Sequence, residues 1–459
     1  LASSAASDVY KRQFLDSLMN NVLYREAYDR LSLHVETGLN AETALQSYAP
    51  EKLLDCDAFL CVDQILVKWL IERLLSEDIG AKLDQLSIPD ICEKRMKMHF
   101  GRKTGTAYQV IRSAYVLAMA ANYQCPDDFK EIIDQYQEKD WMIDQEYRKF
   151  YTAFDAMENG DGFDGLKNMV ENIYTNRVLA VQLPKWNGAI HEGEAFLTLP
   201  LQRNFYNRYI KNSKERTVVI ISDAMRYEVG RQLFLQMQDD PKCTAKMETM
   251  LGILPSYTRL GMAALLPHSS LSMKDDYTVQ ADERNFDNLA DRQTILQMYQ
   301  PDALCLQFDD IKNRKIAELR EIFTGRQLQY VYHNQIDARG DKANTEDEVF
   351  VACEEALREI KEFIHRISTS ANTYHFIVTS DHGFLYKRDK ITESEKISGV
   401  SGKKAFVNRR FIVADSAVTG DGIDCLSLGK ILGNEDAKMV SFPVSSHVFK
   451  VSGGGQNYV

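Results

Sequence analysis

Two patterns of hydrophobic positions divide the chain near residue 216. Before it, apolar residues recur at steps of three and four, as in the stretches 58–70 and 108–119. This spacing places apolar side chains on one face of a helix. After it, the apolar residues come in short consecutive runs rich in β-branched side chains. Such runs are typical of strands covered on both faces by helices. The pattern therefore predicts an all-α part followed by an α/β part.

Three apolar runs in the second part are predicted strands. They lie at 217–223, 329–333 and 374–381, and the first and third end in Ser-Asp. The stretch between the last two predicts a long amphipathic helix, whose apolar face is formed by Val349, Cys353, Leu357, Ile360, Ile364 and Ile367. Strand, helix and strand in this order predict a crossover connection and a mainly parallel sheet. Ligands of such sheets lie at the carboxyl ends of the strands.

These patterns predict the domain organisation. Residues 14–160 are expected to form a helical domain, 161–212 a linker region rich in turn signals, and 213–459 the α/β domain. Residues 1–13, LASSAASDVYKRQ, resemble a translated sequencing-adapter read-through and are interpreted as a non-native leader. The closing GGGQNYV follows a turn without a final helix or strand signal, so we expect the α/β domain to be truncated at its C-terminus.

Composition and charge narrow the classes of protein. Hydrophobic residues make up 44% of the 459 residues and charged residues 26%, as in a folded protein of two or three domains. The formal net charge of -11 argues against a surface that binds nucleic acid throughout, but permits a local basic groove or a metal-bridged phosphate site. Eight cysteines without CxxC spacing, and no long uncharged apolar stretch, predict a cytoplasmic chain with reduced thiols and no membrane partner.

Carboxylates follow each of the three predicted strands. Asp223 ends the first, Asp337 and Asp341 follow the second, and Asp381 with His382 follows the third. Because parallel strands bring their carboxyl ends to one edge, these acids are expected to converge, and converging carboxylates need raised pKa values or bound cations. Consecutive Asp and His can offer an oxygen and a nitrogen to one metal.

A fourth segment adds a hydroxyl group. Thr258 is expected at the amino terminus of a short helix, where unpaired N–H groups attract anions. A hydroxyl beside a divalent cation can lose its proton and attack phosphorus. Arg226 and Arg259 are candidate phosphate-binding residues through their fork-shaped donors.

Each of these residues also has a purely structural interpretation. An Asp at a strand end, or Thr258 at a helix start, is more often a cap or turn residue. Arg226 could pair with Glu228 or another neighbour, and His333 and His375 are expected to be packed strand residues. What favours a site is the conjunction and order of the four segments.

That order resembles the alkaline phosphatase superfamily of metal-dependent phospho- and sulfo-transferring enzymes. More narrowly, the segments VVIISDAMRYEVGRQL, LGILPSYTRLGMAALLP, YVYHNQIDARGDK and FIVTSDHGFLY resemble the PglZ family, the alkaline-phosphatase-like component of bacterial BREX phage-defence systems. The resemblance covers about residues 217–459. It implies an alkaline-phosphatase-like α/β core preceded by an all-α domain.

The resemblance also implies a site with two divalent metal ions, Zn²⁺, Mn²⁺ or Mg²⁺. The residues implied for the first metal, with Thr258 also the nucleophile, are Asp223, Thr258, Asp381 and His382. The residues implied for the second metal are Asp337 and Asp341.

Two departures from the superfamily pattern concern the second metal. The superfamily usually has histidine where this chain has Asp341, and a carboxylate favours Mg²⁺ or Mn²⁺ over Zn²⁺. A further histidine is expected after the Asp-His pair, but His447 lies in a predicted strand. The resemblance therefore implies a ligand beyond Val459, without which the site would be incomplete.

The resulting expectation is a metal-dependent phosphodiesterase, phosphatase or nuclease-like hydrolase acting in phage defence. An ATPase and a DNA methyltransferase of the same system are the implied partners, with DNA as a further one. Two alternatives stay open: a catalytically weak scaffold subunit of the defence complex, and a phosphomutase acting on small molecules.

Overall fold

The computed structural model describes residues 2–158, 160–191, 199–398, 405–451 and 457–459. Most of the closing segment GGGQNYV, for which the sequence predicts neither helix nor strand, lies outside the described residues. The chain divides into two compact units, one of residues 1–122 with 146–177 and one of residues 123–145 with 178–459.

The first unit is helical, as the apolar spacing predicts. A 3₁₀ turn at Pro50–Leu53 and a two-residue hairpin that the pattern did not predict, Lys82–Leu83 with Leu86–Ser87, interrupt the helices. The helix Trp141–Asp155 enters this unit at residue 146, and the π-helical turn Ile173–Leu179 leaves it after residue 177. The remaining helices are Ala2–Asn20, Arg25–Leu39, Ala41–Leu45, Leu60–Leu75, Ile88–Met96, Gly101–Met119 and Asp164–Asn172.

A buried ion pair accounts for the buried carboxylate of Asp63 in the most apolar helix, Leu60–Leu75. The carboxylate of Asp63 accepts two hydrogen bonds of 2.8 Å from the guanidinium of Arg95 and one of 2.6 Å from the Tyr108 hydroxyl. These three side chains come from three helices and are fully buried.

Among the described residues, no helix combines the length and apolarity required to cross a bilayer.

The second unit contains the predicted parallel sheet. Its strands are β1 (Thr217–Ser222), β2 (Leu304–Gln307), β3 (Leu328–His333) and β4 (His375–Thr379), in the order β2-β3-β1-β4. All neighbouring pairs are parallel. Every residue of β1 and β3 is buried, which accounts for their uninterrupted apolar sequence. The α/β prediction is therefore confirmed, with β2 as an additional strand at one edge.

Four helices of this unit matter for the site: α1 (Tyr227–Gln238), α2 (Thr258–Leu265), α3 (Gln335–Gly340) and α4 (Val349–Ala371). Of the six residues predicted to form the apolar face of α4, five are buried and Ile364 is half-buried. Other helices are Phe129–Gln135, Ala180–His191, Leu289–Tyr299, Phe308–Ile311, Ile316–Phe323 and Leu428–Leu432. Shorter 3₁₀ and π turns lie at Tyr136–Asp140, Gln202–Asn204, Tyr206–Ile210, Glu346–Glu348 and Glu393–Glu395.

A second, antiparallel sheet follows β4. It consists of β5 (Ala405–Val407), β6 (Ile412–Ala414), β7 (Ile423–Ser427) and β8 (Met439–Pro443), in the order β5-β6-β8-β7. Two smaller pairs are the hairpin of Leu271–Met273 with Val279–Ala281 and the parallel pair of Lys396–Ile397 with Val448–Phe449.

Two details complete the comparison with the sequence patterns. Pro184, taken as part of a linker, lies inside the helix Ala180–His191, so the turn signals there were misleading. The eight cysteines all lie among the described residues and form no disulfide with one another.

Candidate functional site

The parallel sheet brings three strand ends to one edge. Ser222 pairs with His333 in the register of β1 and β3, and Ile221 pairs with Thr379 in that of β1 and β4. The N–H of Asp223 continues this ladder and donates to the His333 carbonyl at 2.8 Å. The residues that follow β1, β3 and β4 therefore lie at the same edge of the sheet.

A left-handed residue after β1 links two of the acids. Ala224 has a φ of 62°, a region that costs a non-glycine residue about 1–2 kcal/mol. In this conformation its N–H donates to Asp381 Oδ1 at 3.2 Å, and the contact is buried. The end of β1 thereby fixes the carboxylate that follows β4.

His382 is at the centre of the first predicted metal site. Its Nδ1 lies 2.8 Å from the Gly383 carbonyl, which can only accept, so we assign a proton to Nδ1, and Nε2 is the nitrogen that a cation could bind in place of a proton. Nε2 lies 3.0 Å from Thr258 Oγ1, 3.3 Å from Asp223 Oδ1 and 3.6 Å from Asp381 Oδ2. The structure thus brings together the four residues predicted for the first metal, around one nitrogen.

Thr258 is the first residue of α2, as the sequence predicts. One turn later, Gly261 lies against the loop after β4. A Cβ at Gly261 would meet the Asp381 carbonyl oxygen at 2.3 Å, far inside van der Waals contact. Glycine is therefore needed for α2 to bring Thr258 next to His382.

Of the two residues predicted for the second metal, Asp337 lies in the cluster of acids and Asp341 does not. Ligand atoms of Asp337, Asp223 and His382 all lie within 4.8 Å of one another. Asp341, at the end of α3, is exposed and is not a member of this group. Two cations in such sites usually lie about 3.5–4 Å apart, so ligands of both are expected within one small cluster. As ligands, all of these residues remain a prediction.

The pKa directions reflect the crowding of acids. Burial and the neighbouring Asp223 raise the pKa of Asp381 to about 8 and also raise the pKa of Asp337. Burial alone would lower the pKa of His382, but its contact with Asp223 and the charge of Asp381 raise it to about 9. The protein without a cation therefore holds protons in a cluster that three carboxylates and an imidazole form.

Two carboxylate oxygens in this cluster fit a cation. Asp223 Oδ1 and Asp381 Oδ2 are buried and accept no hydrogen bond from any residue that the structure describes. A buried carboxylate oxygen without donors is costly unless it is protonated or bound to a cation. Carboxylate oxygens with one imidazole nitrogen suit Zn²⁺, Mn²⁺ and, where oxygen dominates, Mg²⁺.

The two arginines predicted to bind phosphate have carboxylate partners. Arg226 Nη2 lies 3.0 Å from Asp144, and the guanidinium lies over the Phe384 ring at 5.3 Å. Arg259 Nη2 lies 2.9 Å from Asp287, with both side chains about half exposed. Binding of phosphate by either arginine stays a prediction.

Gln202 is a residue of the site that sequence reasoning missed. Its side-chain amide donates to the carbonyls of Ser380 and Asp381 at 2.9 and 2.8 Å, and its Oε1 accepts from the Ile253 N–H at 2.9 Å. It is buried and connects the loop after β4 to the loop before α2. A lone Gln outside any motif gives no signal in one sequence.

We expect Gln202→Leu to destabilise the second unit. It removes three hydrogen bonds and leaves buried backbone groups unpaired, a loss of about 2–4 kcal/mol. Calorimetry without divalent cations should show a melting temperature lower by several degrees. Gln307→Leu, at an exposed position of β2, is the matched control and should change little. Equal effects of the two substitutions would contradict this role.

Two further residues near the acids also gave no sequence signal. The Tyr458 hydroxyl donates to Asp337 Oδ1 at 3.0 Å, and its buried ring packs where a Cβ at Gly340 would clash. Arg410, between β5 and β6, donates to the carbonyls of Gly383 and Ser256 at 3.2 and 3.4 Å. Burial lowers the pKa of Arg410, while the charges of Asp337, Asp341 and Asp381 oppose that shift.

Comparison with known proteins gives a family match. Residues 203–459 match the family model described as the BREX system PglZ alkaline phosphatase-like domain. The chain is 34% identical to the alkaline phosphatase-like protein PglZ of Bacillus cereus (strain H3081.97), over 98% of the chain and 53% of that protein. It is 28% identical to the alkaline phosphatase-like protein BrxZ of Escherichia coli O9:H4 (strain HS), over 94% of the chain and 52% of that protein.

Among solved structures, murine ectonucleotide pyrophosphatase/phosphodiesterase 5 is similar to 53% of the chain, over 83% of its own length. The TM-score is 0.39 and the sequence identity 9%. The chain spans about half the length of the curated relatives that it matches.

Proposed function

Because the chain belongs to the PglZ family of BREX systems, we propose that it is a metal-dependent phosphodiesterase or phosphatase. The observation that carries the proposal is the pair of buried oxygens, Asp223 Oδ1 and Asp381 Oδ2, that accept no hydrogen bond from a described residue. They lie within 3.6 Å of His382 Nε2, which also faces the Thr258 hydroxyl. An acidic pocket with an adjacent hydroxyl is suited to metal-assisted attack on phosphorus.

The residues proposed to hold the cations divide into two sets. Asp223, Asp381 and His382, with the Thr258 hydroxyl, would hold one ion, and Asp337 with Asp341 the other. Bound divalent ions would supply Lewis acidity, which lowers the pKa of a nearby hydroxyl and neutralises phosphoryl oxygens. The harder ions Mg²⁺ and Mn²⁺ suit Asp341 better than Zn²⁺ does.

Three features of the chain would act on the substrate directly. Thr258 is the proposed nucleophile, and its Oγ1 is oriented by the 3.0 Å contact with His382 Nε2. The first N–H groups of α2 offer hydrogen-bond donors to a phosphate oxygen. The guanidinium of Arg410 donates hydrogen bonds to the carbonyls of Gly383 and Ser256, and it adds positive charge close to the acids.

The setting in the cell is proposed from the family. Membership in a BREX family supports assembly with other components of that system. We propose an ATPase and a DNA methyltransferase as the partner subunits, DNA as a further partner, and the cytoplasm as the compartment. The curated relatives are about twice as long, so these proposals concern the whole protein.

Titration with Mn²⁺ tests the metal site and separates the enzyme from a scaffold. In the full-length protein, calorimetry should detect two bound ions per chain, and Mn²⁺ should restore cleavage of bis(p-nitrophenyl) phosphate after chelation. Asp223→Ala should weaken Mn²⁺ binding at least about 100-fold. Loss of a residue that only hydrogen-bonds to a metal ligand costs about 10- to 100-fold, and loss of a ligand itself is expected to cost more.

The control for this titration is Asp421→Ala, because Asp421 is an exposed acid in a loop before β7. Its isotherm should match that of the unmodified protein. If Asp223→Ala binds Mn²⁺ as well as this control does, the metal site is refuted and the scaffold alternative is favoured.

A further inference from the structure

A cavity opens next to the proposed nucleophile. Its volume is about 440 Å³, and its lining includes Tyr257, Thr258, Arg259, Asp276, Tyr277 and Phe406. This volume is within the usual range of small-molecule sites, about 300–1,000 Å³. Because Thr258 is part of the lining, a group held in the cavity would be attached to a phosphate within reach of the hydroxyl.

Three aromatic rings from three separate elements meet in this lining. Phe406 is in β5, Tyr277 in the turn of the hairpin 271–281, and Tyr257 immediately before α2. The Phe406 ring lies 5.7 Å from that of Tyr257 and 6.1 Å from that of Tyr277. Phe406 and Tyr277 are only half-buried, so part of each ring is available to a ligand. Such rings stack on planar heteroaromatic groups.

Polar groups accompany the rings. The Tyr257 hydroxyl is buried and has no hydrogen-bond partner among the residues that the structure describes. An unpaired buried hydroxyl costs about 1–3 kcal/mol, and a polar ligand is a source of the missing partner. Arg259 and Asp276 add a donor and an acceptor to the lining. A purely aliphatic ligand would leave these groups unused.

We propose that this cavity binds the nucleobase of a nucleotide whose phosphate lies at Thr258. The inference rests on the proposed function and specifies its substrate class as a nucleoside phosphate unit, either a free nucleotide or the end of a nucleic acid strand. Stacking tolerates any base, since every base has a π face, so the cavity selects for the presence of a base.

Binding measurements test the proposal without turnover. In the presence of Mn²⁺, calorimetry should show that adenosine 5′-monophosphate binds at least ten times more tightly than ribose 5-phosphate. Phe406→Leu and Tyr277→Asn should each weaken binding of the nucleotide by about 5- to 100-fold, the range expected for loss of one stacking contact. Affinity for ribose 5-phosphate should stay within twofold.

Three choices of variant keep this test clear. Asn tolerates the φ of 65° at Tyr277, so Tyr277→Asn removes the ring with little backbone strain. Phe406→Tyr keeps a ring and should keep the preference for the nucleotide. Tyr374→Ala removes a ring that is 73% exposed and immediately precedes β4, and it should change nothing.

Each outcome has one meaning. Equal affinities for the two phosphates, or an unchanged preference in both ring variants, would overturn the base-binding cavity while leaving the proposed enzyme intact. Binding of adenosine without any Mn²⁺-dependent binding of inorganic phosphate would support the cavity and overturn the proposed enzyme. A twelve-nucleotide single strand distinguishes the two sources, because tighter binding of the strand than of the mononucleotide, weakened in Phe406→Leu, indicates a strand end, whereas weaker binding of the strand indicates a free nucleotide.

Discussion

Thr258→Ala is expected to lower the Mn²⁺-dependent cleavage of bis(p-nitrophenyl) phosphate by about 10³- to 10⁵-fold, as loss of a nucleophile does in other hydrolases. The physical reason is that Thr258 Oγ1 lies 3.0 Å from His382 Nε2, next to the proposed metal ligands. Mn²⁺ binding should change much less, because the buried carboxylates remain. The measurement is turnover and Mn²⁺ affinity of the same preparation.

Thr258→Ser is the matched control, because it keeps the hydroxyl and loses only a methyl group. We expect its turnover to stay within about tenfold of the unmodified protein, since serine is as competent a nucleophile. If the alanine variant turns over as fast as the serine variant, Thr258 is not the nucleophile. Binding in place of catalysis would then be its role.

Asp381→Asn is expected to abolish turnover and, in the absence of divalent cations, to stabilise the folded protein at pH 8 but not at pH 4. Burial and Asp223 raise the pKa of Asp381 to about 8, against about 3.9 in an unfolded chain. A raised pKa means that its stabilising contribution is complete below pH 4 and is lost as pH rises to about 8. The pKa of His382 is also raised, to about 9, so its stabilising contribution is likewise lost as pH rises, from about pH 6.5 upward.

Asparagine resembles the protonated acid, so it avoids the buried charge. Without divalent cations, Asp381→Asn should therefore be more stable than the unmodified protein at pH 8, by on the order of 2 kcal/mol, and about equal at pH 4. Added Mn²⁺ should raise the melting temperature of the unmodified protein and not that of the variant. Asp421→Asn, at an exposed position, is the control and should follow the unmodified protein. A variant that is less stable at pH 8 without cations would contradict the raised pKa.

Several elements of the fold follow from local sequence. Consecutive apolar residues predicted β1, β3 and β4, and the spacing of apolar residues predicted α4. Pro255 before the helix and Pro267 after it bounded α2 well enough to place Thr258 at or near its amino terminus, and Thr258 is its first residue. These predictions succeed because strand and helix periodicity depend on near neighbours in the chain.

Other features could not be predicted from local sequence. The sequence patterns missed the helix through Pro184 and the short hairpin at 82–87, and the edge position of β2 depends on its pairing with β3, a partner outside its own segment. The pairing of Arg226 with Asp144 has the same cause, since a neighbour in sequence, Glu228, was an equally plausible partner. Tertiary contacts decide such pairs because many residues are within reach of a long side chain.

The sequence by itself determined which residues are the candidates for catalysis and metal binding: acids after three parallel strands, a hydroxyl at a helix start and one histidine. Only the tertiary structure decided their arrangement. It places Asp337 beside Asp223 and His382 and leaves Asp341 outside that group. It also brings Gln202 and Arg410 into contact with the loop that follows β4. The physical reason is that periodicity fixes where a strand ends, whereas distances between strand ends depend on register and on loops joined by buried polar side chains.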